Sequence, residues 1–217
     1  MFQNKNKILR QMFSSGALTR SVGAHDGLGA KLIGESGFDA VWASGLEISA
    51  SYGVPDANIL TMTQFLSKAY EMNQATTLPI IADCDTGFGN VNNAIYMMEQ
   101  YEAHGISGIC IEDKKFPKVN SFIEGRQDLA EINEFSGKIR AVTDAKKDKN
   151  IVLIARVEAL IAGWGMDEAL KRSFAYEEAG ADAILIHSKK KEPSEIINFV
   201  KIFRKKSKTP IVIVPTT

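Results

Sequence analysis

Only two cysteines occur in this chain of 217 residues. Cys84 and Cys110 both fall inside apolar runs that read as strands, so neither a disulfide framework nor a four-ligand zinc site can be assembled from them. Buried, reduced thiols are the expectation. An excess of one charge is missing too: Lys plus Arg and Asp plus Glu number 26 each, for a formal net charge of zero. Nothing in that balance advertises a nucleic-acid partner. The lysine-rich patches at 146–149, 189–191 and 201–208 fall beside or within predicted helices and read as solvated faces. A long apolar run is also absent. The N-terminus, MFQNKNKILRQMFSSG, spaces Ile8, Leu9, Met12 and Phe13 as a helix does but is too poor in apolar residues for a signal peptide or membrane span. A cytoplasmic protein without a membrane partner is expected.

What is present is ordinary globular composition, 45% hydrophobic and 24% charged, enough for one substantial core. Short β-rich runs recur: SVGAH (21–25), DAVWAS (39–44), PIIAD (79–83), GICIED (108–113), IVLIARV (151–157), AILIHS (183–188) and PIVIVP (210–215). Helical periodicity fills the intervals. One segment, from Thr61, opens with Thr61 and Gln64 spaced as a capping box; another, from Gly165, closes on Gly180 as a C-terminal stop. Continuous apolar strands alternating with helices imply a parallel sheet, either closed into a (β/α) barrel or doubly wound. Polar residues stand at the C-terminal ends of several different strands, which favours a barrel rim over a single switch point. The expected fold class is therefore α/β, a TIM-type (β/α) barrel. Only seven strand candidates are visible, so residues 1–217 read as a single barrel domain with the eighth strand-helix unit missing at its C-terminal end. Such an open edge favours oligomerisation.

The polar strand ends suggest chemistry. Asp83 and Asp85 face the same way if the third strand extends that far, and Asp56 and Glu112 can converge on them. Carboxylates without thiolate or imidazole neighbours suit a hard cation, Mg²⁺ in particular; acids that cap helices or pair with lysines are the ordinary alternative. Gly87 and Gly89 fit a βα turn that lets the backbone approach a ligand. ASGLE (43–47) can present N–H groups and the Ser44 hydroxyl to an anion or an enolate oxygen. Arg156, inside an apolar strand, requires an acid or an anionic substrate, and Glu158 offers the ion pair. His187 ends a strand as catalyst or as core residue; His25 shares the ambiguity, and His104 reads as a helix C-terminus. EDKKFPKVNSFIEGR (112–126), with Lys118, Asn120 and Ser121, is a polar loop that reads as a lid or as plain surface.

Taken in order, WASGLE, DCDTGFGN, EDKKFPKVNS, ARVEALIAGWG and HSK make the chain similar to the phosphoenolpyruvate mutase family of the isocitrate lyase superfamily, from about Leu18 to Thr217. The carbon–carbon lyases of that superfamily carry a catalytic cysteine in the corresponding loop, and this loop has none. The resemblance implies Mg²⁺ bound directly by Asp83, with Asp56, Asp85 and Glu112 holding its waters. It implies that Ser44, Gly45 and Leu46 cradle a pyruvate moiety beside Trp42. Arg156, His187, Asn120 and Ser121 contact the phosphoryl group, and Lys118 helps the lid close. The implied activity is interconversion of phosphoenolpyruvate and phosphonopyruvate by intramolecular phosphoryl transfer, at the entry to phosphonate biosynthesis, in a homo-oligomer, usually a tetramer. Phosphonopyruvate hydrolase is the near alternative, and it typically lacks an asparagine at the position of Asn120. A non-catalytic anion-binding barrel is the alternative of another class.

Overall fold

The computed structural model describes residues 2–125 and 127–215, and in it seven strands form one parallel sheet ordered as in the sequence. They are β1 (Ser21–Ala24), β2 (Ala40–Ala43), β3 (Ile80–Asp83), β4 (Gly108–Glu112), β5 (Val152–Val157), β6 (Ala183–Ile186) and β7 (Ile211–Ile213). Each lies inside a run anticipated above, shortened by a residue or two at its ends. Helix α1 (Phe2–Ser15) precedes β1, and α2 (Gly27–Glu35) follows it. Beyond β2 come the short α3 (Gly45–Ser51) and α4 (Met62–Ala75). Single helices then separate the strands: α5 (Val91–Ala103), α6 (Ile132–Ala145), α7 (Gly165–Glu178) and α8 (Ser194–Phe203). Every strand pairs with its sequence neighbour, which curls the sheet and keeps the helices outside, the TIM-type arrangement. The curl stays open between β1 and β7.

Strand alternation sorts the core into two layers. Outward residues such as Val41, Ile80, Ile109, Leu153 and Ile184 pack against the helices. Inward residues Ala40, Ile81, Cys110, Val152, Ile154, Ala183 and Leu185 fill the inside of the curl. Local signals agree: Thr61 and Gln64 form the anticipated capping box on α4, and Gly180, at φ 105°, follows the C-cap of α7.

Helix α1 closes the N-terminal end of the curl. Leu9 is completely buried against the inner layer, and a Cβ added at Gly108 of β4 would lie 3.0 Å from its Cδ2, so glycine is what admits the helix there. The Lys5 ammonium donates to the Asn73 and Thr76 carbonyls at 2.7 and 2.8 Å, at the C-terminal end of α4. Arg10 pairs with Asp182 at 2.6 Å.

Two expectations are corrected. Cys84 lies one residue beyond β3 rather than within it; both cysteines are buried and free, and burial pushes both thiols well up. The 146–149 patch is not a wholly solvated face, because Lys146 is buried with its ammonium 2.9 Å from Asp182. Among the described residues no helix is long and apolar enough to cross a membrane.

Candidate active site

The alternation that builds the inner layer continues past the strand ends. Following Trp42, Ile81, Cys110, Ile154 and Leu185 by two residues, the next inward positions are Ser44, Asp83, Glu112, Arg156 and His187. Five strands therefore deliver polar side chains to one rim, around a cavity of about 750 Å³. Trp42, Ser44, Leu46, Asp56, Asp83, Lys118, Asn120, Ser121, Arg156 and His187 line it, whereas Gly45, Asp85 and Glu112 lie behind its wall. The cavity runs on to the opening between β1 and β7, past Leu18 and Ile213. Asp113, also at a strand end, faces the other way: it accepts from Arg172 Nη1 at 3.0 Å, from the Tyr176 hydroxyl at 2.8 Å and from the Glu158 N–H at 2.9 Å.

The acids converge by a different route from the one anticipated. The strand stops at Asp83, and Asp85 has φ 50°, in the left-handed region. A turn through Asp85, Gly87, Phe88 and Gly89, all at positive φ, brings its carboxylate back beside that of Asp83. Lys138 of α6 holds this turn, donating to the Thr86 and Gly89 carbonyls at 2.8 and 2.9 Å. A Cβ added at Gly45 would stand 3.3 Å from Asp83 Oδ2 and 3.4 Å from Asp85 Oδ1. The start of α3 thus meets the acids through a glycine.

Lys118 supplies the nearest positive charge, its ammonium 2.6 Å from Asp85 Oδ1 and 2.9 Å from Asp56 Oδ1. Even with Arg156 Nε 3.2 Å from Glu112 Oε2, and shared there with Glu158, it does not balance four carboxylates. Burial pushes Asp85 up to about 7; Lys118 opposes the rise, while Asp83 and Glu112 add to it. Glu112 is buried, with Oε1 lacking any hydrogen-bond donor. Among the described residues no three His, Cys, Asp or Glu side chains already form a ligand cage. The buried oxygen-only donor set and its deficit of positive charge nonetheless fit a hard divalent cation.

The opposite wall is cationic and organised by Glu158, whose side chain is completely buried. Its Oε1 accepts from Arg156 Nε at 2.6 Å and lies 3.0 Å from His187 Nδ1; its Oε2 accepts from the Ser121 hydroxyl at 2.7 Å and lies 3.2 Å from Lys114 Nζ. Burial alone would raise this carboxyl, but Arg156, His187 and Lys114 override it and hold Glu158 well below the usual range. The ion pair foreseen between Arg156 and Glu158 is real, yet it leaves Arg156 Nη2 directed at Ser121 and His187, at 3.2 and 2.9 Å. With Nδ1 occupied, His187 Nε2 is the spare ring nitrogen, buried and without a partner.

The loop after β4 covers this chamber. Lys114 and Leu129 form an antiparallel bridge at its base, and the Lys114 ammonium donates to the Val119 carbonyl at 2.8 Å and to Ser121 at 2.7 Å. Asn120 Nδ2 donates to Asp56 Oδ2 at 3.0 Å, and the Phe122 ring stands edge-on to His187 at 5.7 Å. These contacts hold the loop over the cavity; its last residue in the sequence reading, Arg126, lies outside the described residues. Of the other histidines, His25 is half exposed near Asp26 and Glu47 and does not line the cavity, and His104 caps α5 with Nδ1 2.7 Å from the Gln100 carbonyl. The Ser44 hydroxyl oxygen accepts from the Glu47 N–H at 3.3 Å as the N-cap of α3, leaving its proton as the donor.

Sequence reasoning missed Lys114 and Asn58 and gave Glu158 too small a part. A second lysine inside EDKK carried no signal of its own, and neither did Asn58, a polar residue two beyond Asp56.

Residues 9–217 match the family model for phosphoenolpyruvate phosphomutase. A phosphonopyruvate hydrolase from Variovorax sp. (strain Pal2) is 54% identical over 213 residues, covering 98% of this chain and 73% of that protein. The crystal structure of a phosphoenolpyruvate phosphomutase from Streptomyces platensis subsp. rosaceus superposes with TM-score 0.95 at 53% identity, covering 98% of this chain and 73% of that one. A phosphonopyruvate hydrolase solved with oxalate and Mg²⁺ superposes with TM-score 0.91 at 52% identity, over 97% of this chain and 72% of the other.

Proposed function

Because this chain belongs to the phosphoenolpyruvate phosphomutase family, we propose that it interconverts phosphoenolpyruvate and phosphonopyruvate by moving a phosphoryl group within one bound molecule. One observation carries the choice of transfer over hydrolysis. The lid presents an asparagine at 120, anchored on Asp56 above the rim, in the family position that hydrolases typically leave without one. The second reading, hydrolysis to phosphate and pyruvate, draws support from the 54% identity to the Variovorax hydrolase.

In the phosphonopyruvate direction the C–P bond breaks, its electron pair stays with the pyruvate fragment as the enolate, and the phosphoryl group is then captured by the enolate oxygen. A loose, metaphosphate-like transition state needs fixed positive charge and positioning more than covalent help. The Arg156 guanidinium and His187 Nε2 supply donors for the phosphoryl oxygens, Ser121, whose proton goes to Glu158 Oε2, accepts from Arg156 beside them, and Asn120 approaches from the lid. The Gly45 and Leu46 N–H groups, at the start of α3, have no acceptor within the helix and can meet the pyruvate oxygens, beside Trp42. Asp83 would hold Mg²⁺ directly and Asp56, Asp85 and Glu112 would hold its waters, and the ion would supply Lewis-acid stabilisation of enolate charge. The closed lid keeps bulk water from the phosphoryl group while it is between oxygen and carbon.

The test is to mix the protein with phosphonopyruvate and Mg²⁺ and follow ³¹P by NMR. A phosphoenolpyruvate resonance is expected. Free phosphate would identify the hydrolase, and binding without turnover would leave an anion-binding barrel. In the same assay Asn120→Ala should lower turnover by roughly 10²-fold; near-normal turnover would remove the lid amide from the mechanism. Gly45→Ala should weaken Mg²⁺ binding about tenfold in calorimetric titration, since its methyl group crowds Asp83 and Asp85, and a one-decade loss corresponds to about 1.4 kcal/mol.

A further inference from the structure

One side chain outside the set assigned above touches both halves of the site. Asn58 lies in the loop between α3 and α4 with φ 54°, a conformation that asparagine tolerates better than most residues. Its carboxamide is used at both ends. Nδ2 donates to Asp85 Oδ2 at 2.7 Å, and Oδ1 accepts the Lys118 backbone N–H at 2.5 Å. The orientation of the amide is fixed by its partners, because a backbone N–H can only donate and a carboxylate can only accept. Lys118 is buried, and its ammonium holds the other oxygen of Asp85 at 2.6 Å. Both oxygens of Asp85 are thus held by the lid, one directly through Lys118 and one through Asn58.

We propose that Asn58 is a positioning residue that latches the lid and, through the same carboxamide, orients Asp85, so that closure of the lid and assembly of the acid cluster are one event. The inference deepens the reading of this cavity as a phosphoryl-transfer site and rests on it for its kinetic part. Coupling of this kind requires a group with different contacts in the two lid states. Asn58 has such a contact, since Oδ1 faces the backbone N–H of a lid residue that must leave when the lid lifts.

Two variants separate the two ends. Asn58→Gly removes both bonds and keeps the positive φ without strain. Asn58→Asp keeps an acceptor for Lys118 but removes the donor to Asp85. Limited trypsin digestion of the whole chain, read by mass spectrometry, reports the lid through cleavage after buried Lys118, with cleavage after exposed Lys31 and Lys201 as internal references. We expect Asn58→Gly to be cut after Lys118 about tenfold faster than the unsubstituted chain with the references unchanged, the effect of losing one or two hydrogen bonds to charged or backbone partners. Asn58→Asp should stay within roughly threefold of the unsubstituted chain at that bond. In turnover of phosphonopyruvate both variants should lose about tenfold in kcat with KM changed far less, because both lose the donor that orients Asp85. Unchanged protection in Asn58→Gly would overturn the latch, and equal exposure in both variants would overturn the assignment of Oδ1 to the lid. Normal kcat in both would overturn the coupling to Asp85. If the unsubstituted chain turned nothing over, the functional reading would fail while the digestion still decided the latch.

Discussion

Arg156→Met should lower kcat for phosphoryl transfer by roughly 10³-fold or more, with the chain still folded. The variant keeps most of the apolar stem and deletes a group that touches Glu158, Glu112, Ser121 and His187 at once. Its partners do not all lose their counter-charge, because Lys114 remains 3.2 Å from Glu158 Oε2. The loss should therefore fall on chemistry more than on folding. Arg156→Lys should recover only a small part of the rate, since an ammonium cannot address Glu158 through one nitrogen and His187 through another in the planar fork that arginine presents. Single-turnover ³¹P measurements at saturating Mg²⁺ check both variants; Arg156→Met within tenfold of the unsubstituted rate would place the phosphoryl group elsewhere.

The second large effect concerns stability. Glu158→Ala should destabilise the fold by about 3–5 kcal/mol, because it leaves the guanidinium of Arg156 and the ammonium of Lys114 buried around a missing anion. Urea denaturation followed by circular dichroism gives the difference directly, and a loss below about 1 kcal/mol, the scale of an exposed pair, would show that water replaces the carboxylate without penalty. The pH dependence has a definite sign. Burial opposes ionisation of Glu158, but the surrounding cations win and depress its pKa in the fold. Its stabilising contribution is therefore complete above the ordinary glutamate pKa of about 4.3 and is lost as pH falls below that value towards the depressed one. The gap in stability between the unsubstituted chain and Glu158→Gln should narrow over the same interval.

Much of this arrangement was legible in the sequence because strand periodicity is a strong constraint. Seven apolar runs gave the sheet, and counting by two from their centres reaches Ser44, Asp83, Glu112, Arg156 and His187, all of which meet at the rim. The rule failed where the backbone leaves the strand, since Asp85 arrives through a left-handed turn. It holds for Asp113, one residue past Glu112, which faces outward to Arg172 and Tyr176. Burial of individual lysines was illegible for another reason: Lys114, Lys118 and Lys146 look like solvated charges until acids from distant segments are brought beside them. Asn58 was invisible because its role depends on two partners, 27 and 60 residues away.

Helix α1 precedes the sheet in sequence, yet the contacts it rests on are all made by later segments. Lys5 reaches 68 residues ahead to Asn73, Arg10 reaches 172 residues ahead to Asp182, and Leu9 needs the small inward face of β4 at Gly108. Contacts so far apart in sequence close large loops, and the entropy of closing them must be met before the contact returns anything. During synthesis the stripe of Leu9, Met12 and Phe13 therefore waits, exposed, until β6 has been made. Docking of α1 is expected late in folding, and until it occurs its apolar stripe is exposed surface.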